Sequence, residues 1–252
     1  MNSPLFLRLS NIFVIIPDKI IFPEMTKYLF LFSLMILISC GDSTTSTPEK
    51  KSITPTPKAK EATVEPTSNT KKTIVFFGNS LTAAYGLDPS QGFVGLIGQR
   101  IDSLGLDYKV VNAGLSGETS AGGNSRIDWI LRQKIDVFVL ELGANDGLRG
   151  TSTDETYKNL TSILQKVKAK YPEAKMLICA MEALPNMGEQ FTAEFRGVFA
   201  KLAEENNATL IPFFLSNVGG IPELNQADGI HPTAKGHQIV TENIWAVMKD
   251  VL

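Results

Sequence analysis

The feature that most constrains this chain is the alternation, from residue 73 to residue 250, of short apolar runs with longer segments of helical periodicity. The first run, Thr73 to Phe77, is rich in β-branched and aromatic residues, which is typical of a buried strand. Further strands are predicted at 108–112, 135–142, 176–180 and 209–212, and helices at 92–104, 125–132, 154–170, 191–206 and 234–248. Strands that alternate with helices of this length indicate βαβ units with right-handed crossovers. We therefore predict one α/β domain in three layers, α/β/α, around a five-stranded parallel sheet.

Polar or glycine-rich segments follow the first three predicted strands. These segments are Gly78-Asn79-Ser80, 112–123 and 143–147, and a fourth, 228–232, lies near the C-terminus. Because the carboxyl ends of parallel strands meet at one edge of a sheet, the first three segments must emerge together. A serine, a glycine-rich backbone, an amide side chain and an Asp/His pair are therefore expected to converge at this edge.

Each segment also has a structural interpretation when it is considered alone. Ser80 is a suitable helix N-cap, Asn145-Asp146-Gly147 is common in turns, and the segment 228–232 can lead into a helix. The joint placement of all four at one sheet edge is much harder to explain by structure alone, and it favours a catalytic site.

Together the segments resemble the four sequence blocks of the SGNH (GDSL-type) hydrolase superfamily, named for a Ser, a Gly, an Asn and a His. The matching stretches are Asn79-Ser80-Leu81-Thr82 with Tyr85-Gly86-Leu87, then 116–123, 142–150 and 228–232. The resemblance covers nearly all of residues 73–250 and is closest to small bacterial arylesterases, lysophospholipases and acyl-thioesterases. It implies the flavodoxin-like SGNH-hydrolase fold.

Two positions depart from the family pattern. Asn79 stands where the family usually has Asp, and Ala144 stands where it commonly has Gly. In the family the residue before the serine is not the acid of the triad, so Asn79 is expected to affect fine-tuning rather than activity.

The resemblance assigns roles that also agree with chemistry. Ser80 is the nucleophile, His231 the base that takes its proton, and Asp228 the acid that orients the imidazole and stabilises its charged form. The oxyanion hole takes donors from the Ser80 and Gly117 backbone N–H groups and from the Asn145 amide. His237, on the last predicted helix, is interpreted as a surface histidine.

The implied activity is hydrolysis of acyl esters through an acyl-enzyme, with a small acyl ester or a lysophospholipid as substrate. Two alternatives stay open: an esterase that removes O-acetyl groups from carbohydrates, and a catalytically idle binding lipoprotein. The segments 181–188 and 213–215 either form the wall of an acyl pocket or belong to the core. No cofactor is implied, and we expect a monomer.

Composition and motifs argue against several other classes of protein. Lys plus Arg total 24 against 26 for Asp plus Glu, so no basic excess indicates nucleic-acid binding. The sequence has no G-x-S-x-G elbow of the α/β-hydrolases and no glycine-rich nucleotide-binding motif. The two cysteines lie outside any C-x-x-C motif and do not indicate a disulfide framework or a zinc site. The two histidines are six positions apart, a spacing that does not indicate a metal site.

The N-terminal region is expected to be a signal peptide, residues 1–39. The apolar stretch from Tyr28 to Ile38 is too short for a comfortable membrane span and fits a signal-peptide core. It ends in Leu37-Ile38-Ser39-Cys40-Gly41, which resembles a bacterial lipobox, and this implies cleavage before Cys40 and lipidation of that cysteine. An ordinary signal-peptidase site and a retained anchor are the alternatives, and Met25 is an alternative start.

The segment 40–72 is predicted to be a disordered tether, because its Thr, Pro, Ser, Lys and Glu residues bury too little apolar surface to offset chain entropy. The hydrolase domain is then 73–252. This organisation predicts a lipid-anchored protein of the bacterial cell envelope, facing either the periplasm or the surface.

Overall fold

The computed structural model describes residues 71–252, which form a five-stranded parallel sheet. Its strands are β1 (Lys72–Gly78), β2 (Tyr108–Gly114), β3 (Val137–Glu141), β4 (Lys175–Cys179) and β5 (Thr209–Ile211), in the spatial order β2-β1-β3-β4-β5. Ile74 to Phe77 in β1 are fully buried, as expected for a central strand that is covered on both faces. The signal peptide, Cys40 and the tether up to residue 70 lie outside the described residues.

Within residues 71–252 there are six α-helices, and the longer ones complete the predicted α/β/α sandwich. The six are α1 (Phe93–Ser103), α2 (Ser120–Ile130), α3 (Ala144–Arg149), α4 (Thr153–Lys170), α5 (Glu189–Asn206) and α6 (Ala234–Met248). The central helix α4 packs against α2 and α5, whereas α1 packs against α6. None of the helices within residues 71–252 has both the length and the apolar character that a membrane span requires.

Helix α4 shows how the sequence determines these elements. Ser152 caps its first turn by accepting a hydrogen bond from the Glu155 N–H group, as an N-cap serine should. Leu160, Ile163 and Leu164 recur at helical spacing and are fully buried, so this face of the helix is held against the sheet.

Two helices differ from the sequence prediction. Helix α2 was expected at 125–132 but begins at Ser120, where Thr119 caps it by accepting from the Gly122 N–H group. Its first turns contain Gly122 and Gly123, whose low helix propensity obscured the start. The segment 143–147 was expected to be a loop, but the short helix α3 begins there at Ala144.

The strand order determines where a ligand can bind. Consecutive strands β1 and β2 are neighbours, but the chain then returns to place β3 on the other side of β1. In open α/β sheets the crevice at such a reversal of strand order, at the carboxyl ends of the strands, is the usual ligand site. The segments that follow β1 and β3 both emerge at this point.

Candidate active site

Ser80 lies two residues beyond the end of β1, at the reversal of strand order. The chain turns tightly after the strand, with hydrogen bonds from the Ala83 N–H group to the Asn79 carbonyl and from the Tyr85 N–H group to the Ser80 carbonyl, both 3.0 Å. Gly78 permits this turn, because a Cβ atom there would lie 2.1 Å from the Thr82 hydroxyl. The serine is thus held by a compact turn at the end of a strand that is buried from Thr73 to Gly78.

His231 and Asp228 reach Ser80 from the other end of the chain. The His231 Nε2 atom is 2.8 Å from the Ser80 Oγ atom, and its Nδ1 atom is 2.7 Å from Asp228 Oδ2. The hydrogen bond from His231, with those from the Ile230 and His231 backbone N–H groups, lowers the pKa of Asp228 to about 2. The carboxylate is therefore ionised at neutral pH and orients the imidazole so that Nε2 faces the serine.

The loop that carries His231 is fastened to the turn that carries Ser80. Asp228 Oδ1 accepts from the backbone N–H groups of Ile230 and His231 at 3.0 and 3.1 Å, so one aspartate both shapes the loop and orients the ring. Gln226 donates to the Tyr85 carbonyl at 2.8 Å, and the Tyr85 ring lies 4.6 Å from the His231 ring. These contacts fix the distance between the two halves of the site.

The three groups predicted for an oxyanion hole line one cavity beside Ser80. Gly117 has a φ of +80°, a backbone conformation that favours glycine. Within residues 71–252, the backbone N–H groups of Ser80 and Gly117 donate to no other residue. Asn145 Nδ2 donates to the Glu118 carbonyl at 3.0 Å, which fixes the orientation of the amide and leaves its second N–H available.

Glu141, the last residue of β3, is a residue of this site that the sequence analysis did not identify. It is fully buried beneath the serine turn. Its carboxylate accepts from the Asn79 and Thr82 backbone N–H groups at 3.2 Å, from the Thr82 hydroxyl at 2.6 Å and from Asn79 Nδ2 at 2.8 Å. Burial raises the pKa of Glu141 to about 7, against the opposing effect of these hydrogen bonds. The signal for it in the sequence was a charged residue between Leu140 and Leu142, near the carboxyl end of the predicted strand 135–142.

Asp146 is a second buried acid that supports the site. It accepts from the Ser120 N–H group at 2.8 Å and from the Ser120 hydroxyl at 2.6 Å. The start of α2 is thereby joined to α3, the helix that carries Asn145. In the sequence, Asp146 was interpreted as part of a turn.

The interpretation of His237 as a surface histidine is wrong. The residue is 1% exposed, and its Nδ1 atom accepts from the Phe93 N–H group at 3.2 Å. Burial, together with the charge of His231, lowers the pKa of His237 to about 4. It is therefore a neutral core histidine at pH 7, placed on the inner face of α6.

The cavity beside Ser80 has a volume of about 440 Å³. Both segments suggested as walls of an acyl pocket contribute to its lining, through Met181, Ala183 and Leu184 from one and Phe213 and Leu215 from the other. Phe214, between the last two, faces the core and is fully buried. Within residues 71–252, no group of three or more His, Cys, Asp or Glu side chains is arranged to hold a metal ion.

The site contains a serine that contacts a histidine, which in turn contacts an aspartate. It lies where the strand order of a parallel α/β/α sheet reverses. This combination is typical of a serine hydrolase. The chain belongs to the GDSL-like Lipase/Acylhydrolase family, whose model matches residues 76–239.

The names of similar proteins agree with this assignment. Esterase TesA of Pseudomonas aeruginosa is 42% identical over 182 residues, which cover 72% of this chain and 90% of the relative. Thioesterase 1/protease 1/lysophospholipase L1 of Escherichia coli K12 is 36% identical over 171 residues, 68% of this chain and 80% of the relative. A crystal structure of TesA superimposes with a TM-score of 0.69 at 42% identity and covers 72% of this chain and 100% of that one. The protein is thus a carboxylic-ester hydrolase of the SGNH type.

Proposed function

We propose that Ser80, His231 and Asp228 are the catalytic triad of this esterase, and that its substrates are acyl esters with an extended apolar chain, lysophospholipids among them. The observation that carries the proposal is the 2.8 Å contact between Ser80 Oγ and His231 Nε2 at the edge of an apolar cavity of about 440 Å³.

The reaction would proceed in two acyl-transfer steps. His231 Nε2 takes the Ser80 proton as Oγ attacks the ester carbonyl carbon, and the carbonyl oxygen becomes an oxyanion held by the Ser80 and Gly117 N–H groups and the Asn145 amide. The C–O bond then breaks, and His231 returns the proton to the departing alcohol. A water molecule, deprotonated by His231 in turn, attacks the acyl-enzyme, releases the carboxylic acid and regenerates Ser80.

The character of the cavity supports the choice of substrate. Met181, Leu184, Phe213 and Leu215 offer apolar surface to an acyl chain beside the reacting carbonyl. The E. coli relative carries the name of a lysophospholipase and a thioesterase. An acetyl group alone would leave most of this surface without a partner, which disfavours the O-acetyl esterase.

A panel of esters and thioesters from acetyl to palmitoyl, with lysophosphatidylcholine, tests the proposal. We expect kcat/KM to rise with chain length beyond acetyl, because each buried methylene contributes about 0.8 kcal/mol. Ser80→Ala should abolish turnover of every substrate. Acetyl esters as the best substrates, or undiminished turnover by Ser80→Ala, would contradict the proposal.

We further propose that Cys40 carries a lipid, and that residues 41–72 tether domain 73–252 to the bacterial cell envelope. The support is the sequence Leu37-Ile38-Ser39-Cys40-Gly41 after an apolar stretch. Labelled palmitate should be incorporated by the wild type but not by Cys40→Ala. Equal incorporation by both proteins would refute lipidation at Cys40.

A further inference from the structure

Large exposed apolar side chains gather around the mouth of the cavity. Residues 71–252 contain eight large exposed apolar side chains in all, with exposed fractions from 37% to 63%, and six of them belong to this group. Tyr85, Leu148, Leu184 and Ile230 line the cavity itself. Leu115 and Ile221 do not line the cavity, but they are exposed and are the sequence neighbours of the lining residues Ser116 and Gly220. We call these six residues the apolar rim.

The two remaining exposed apolar residues lie elsewhere. Leu104 follows the last residue of α1, and Trp129 is in the last turn of α2. Both helices follow parallel strands and run back across the sheet, so their C-terminal ends lie at the edge opposite the cavity. The rim is therefore a local concentration, and such a concentration of exposed apolar surface marks a site of interaction.

We infer that the apolar rim docks on the surface of a zwitterionic phospholipid membrane or micelle, so that an acyl chain passes from the lipid directly into the cavity. The inference rests on the proposed esterase function. Four of the six rim residues line the cavity that substrate must enter, so a protein seated on the rim would close the site, whereas a lipid surface would supply it.

The charges at the mouth fit a zwitterionic surface. Glu182 pairs with Arg196 at 3.1 Å, whereas Asp228 adds one negative charge, because its partner His231 is neutral when it acts as the base. The exposed side chain of Arg149 donates to the Gly117 carbonyl at 3.1 Å and adds a cation beside the rim that suits a lipid phosphate. Docking is therefore expected to depend on apolar burial, with little dependence on salt.

The chain that precedes the domain is long enough to permit this orientation. Lys72 begins β1 at the amino edge of the sheet, one strand length from the cavity at the carboxyl edge. A seven-residue strand spans about 23 Å. The roughly 30 residues from Cys40 to Lys71 can reach about 100 Å when fully extended. An anchor on Cys40 thus leaves the domain free to turn its rim toward the same membrane.

The test uses residues 71–252 and sedimentation with large vesicles of phosphatidylcholine. This part holds the complete sheet and core, and it corresponds to the whole length of the crystallised TesA chain, so it folds on its own. We expect Leu115→Ser/Ile221→Ser to bind the vesicles roughly ten- to thirtyfold more weakly than the unaltered domain, from the apolar area lost. The matched control, Leu104→Ser/Trp129→Ser, should bind like the unaltered domain. All three proteins should hydrolyse a soluble butyryl ester equally.

Several results would overturn the inference. Equal vesicle binding by the rim variant and the unaltered domain, or no binding by the domain while it cleaves the soluble ester, would refute docking and leave the esterase intact. A dimer that the rim substitutions convert to a monomer, without vesicle binding, would identify a second copy as the occupant instead. Failure to cleave any ester would refute the proposed function itself.

Discussion

At the scale of single residues, the Asn145 amide is oriented by one acceptor, the Glu118 carbonyl at 3.0 Å. Asn145 also lines the cavity beside Ser80 and Gly117. An oxyanion exists only in the tetrahedral transition state, so a donor aimed at it contributes to turnover and little to substrate binding. This distinguishes an oxyanion donor from a residue that only stabilises α3.

Asn145→Ala should lower kcat by roughly 10²- to 10³-fold, about 2.7–4 kcal/mol of barrier, with little change in KM. The measurement is steady-state kinetics on a short-chain aryl ester, together with thermal unfolding. Asn206→Ala is the control, because its buried amide also donates to a carbonyl, at 2.9 Å, but within α5. It should keep normal turnover. A nearly normal kcat with a depressed melting temperature in Asn145→Ala would remove Asn145 from the site.

At the scale of elements, the end of β3 supports the turn that follows β1. Glu141 faces Gly78 across the sheet and collects four hydrogen bonds from Asn79 and Thr82, the residues on either side of the Ser80–Leu81 pair. Asn79 supplies donors in both its backbone and its side chain, whereas the aspartate usual in the family would bring a second carboxylate. The departure at position 79 therefore gives Glu141 two donors and no neighbouring negative charge.

Glu141→Gln should lower kcat roughly ten- to hundredfold at similar KM, because the carboxamide presents N–H groups to donors and the serine turn shifts. Thr82→Val, which removes one of the four hydrogen bonds, should show a smaller loss of kcat. Thr82→Ser keeps the hydroxyl and should restore turnover. If Glu141→Gln lost only thermal stability, with kcat per folded molecule intact, Glu141 would have no positioning role.

All five strands, and the sheet edge at which the site lies, could be predicted from the sequence. Runs of β-branched residues and the polar, glycine-rich segments that follow them are local signals. The sequence did not reveal that Ser120 begins α2 or that Asn145 lies on α3, since Gly122, Gly123 and Gly147 weaken the helical pattern. These starts depend on tertiary contacts such as the one between Asp146 and Ser120. Glu141 and His237 were missed for the same reason, because burial depends on partners distant in sequence.

At the scale of the whole molecule, the buried His237 makes the free energy of unfolding depend on pH. Its pKa is about 4 in the folded protein, below the 6.5 of an ordinary histidine, because burial opposes its charge. As the pH falls below 6.5 the unfolded chain binds a proton before the folded one does. The contribution of His237 to the stability of the folded protein is therefore present above pH 6.5 and is lost as the pH falls through 4.

We expect the free energy of unfolding in urea to fall by up to roughly 3 kcal/mol between pH 7 and pH 4 through this group. His237→Gln should be less stable than the wild type at pH 7, because the Phe93 N–H group loses its ring acceptor. The difference between the two proteins should shrink toward pH 4. A difference that stays constant with pH would show that His237 does not titrate in this way.

The central claim is that His231 activates Ser80, and labelling with an organophosphonate tests it most directly, because only an activated serine reacts readily with such a probe. Mass spectrometry of the digested protein should place a single phosphonate adduct on the peptide that contains Ser80, with loss of ester turnover in proportion to labelling. His231→Ala should react far more slowly, and Ser80→Ala should carry no adduct. An adduct on another residue, or full turnover of esters after Ser80 is labelled, would contradict the account.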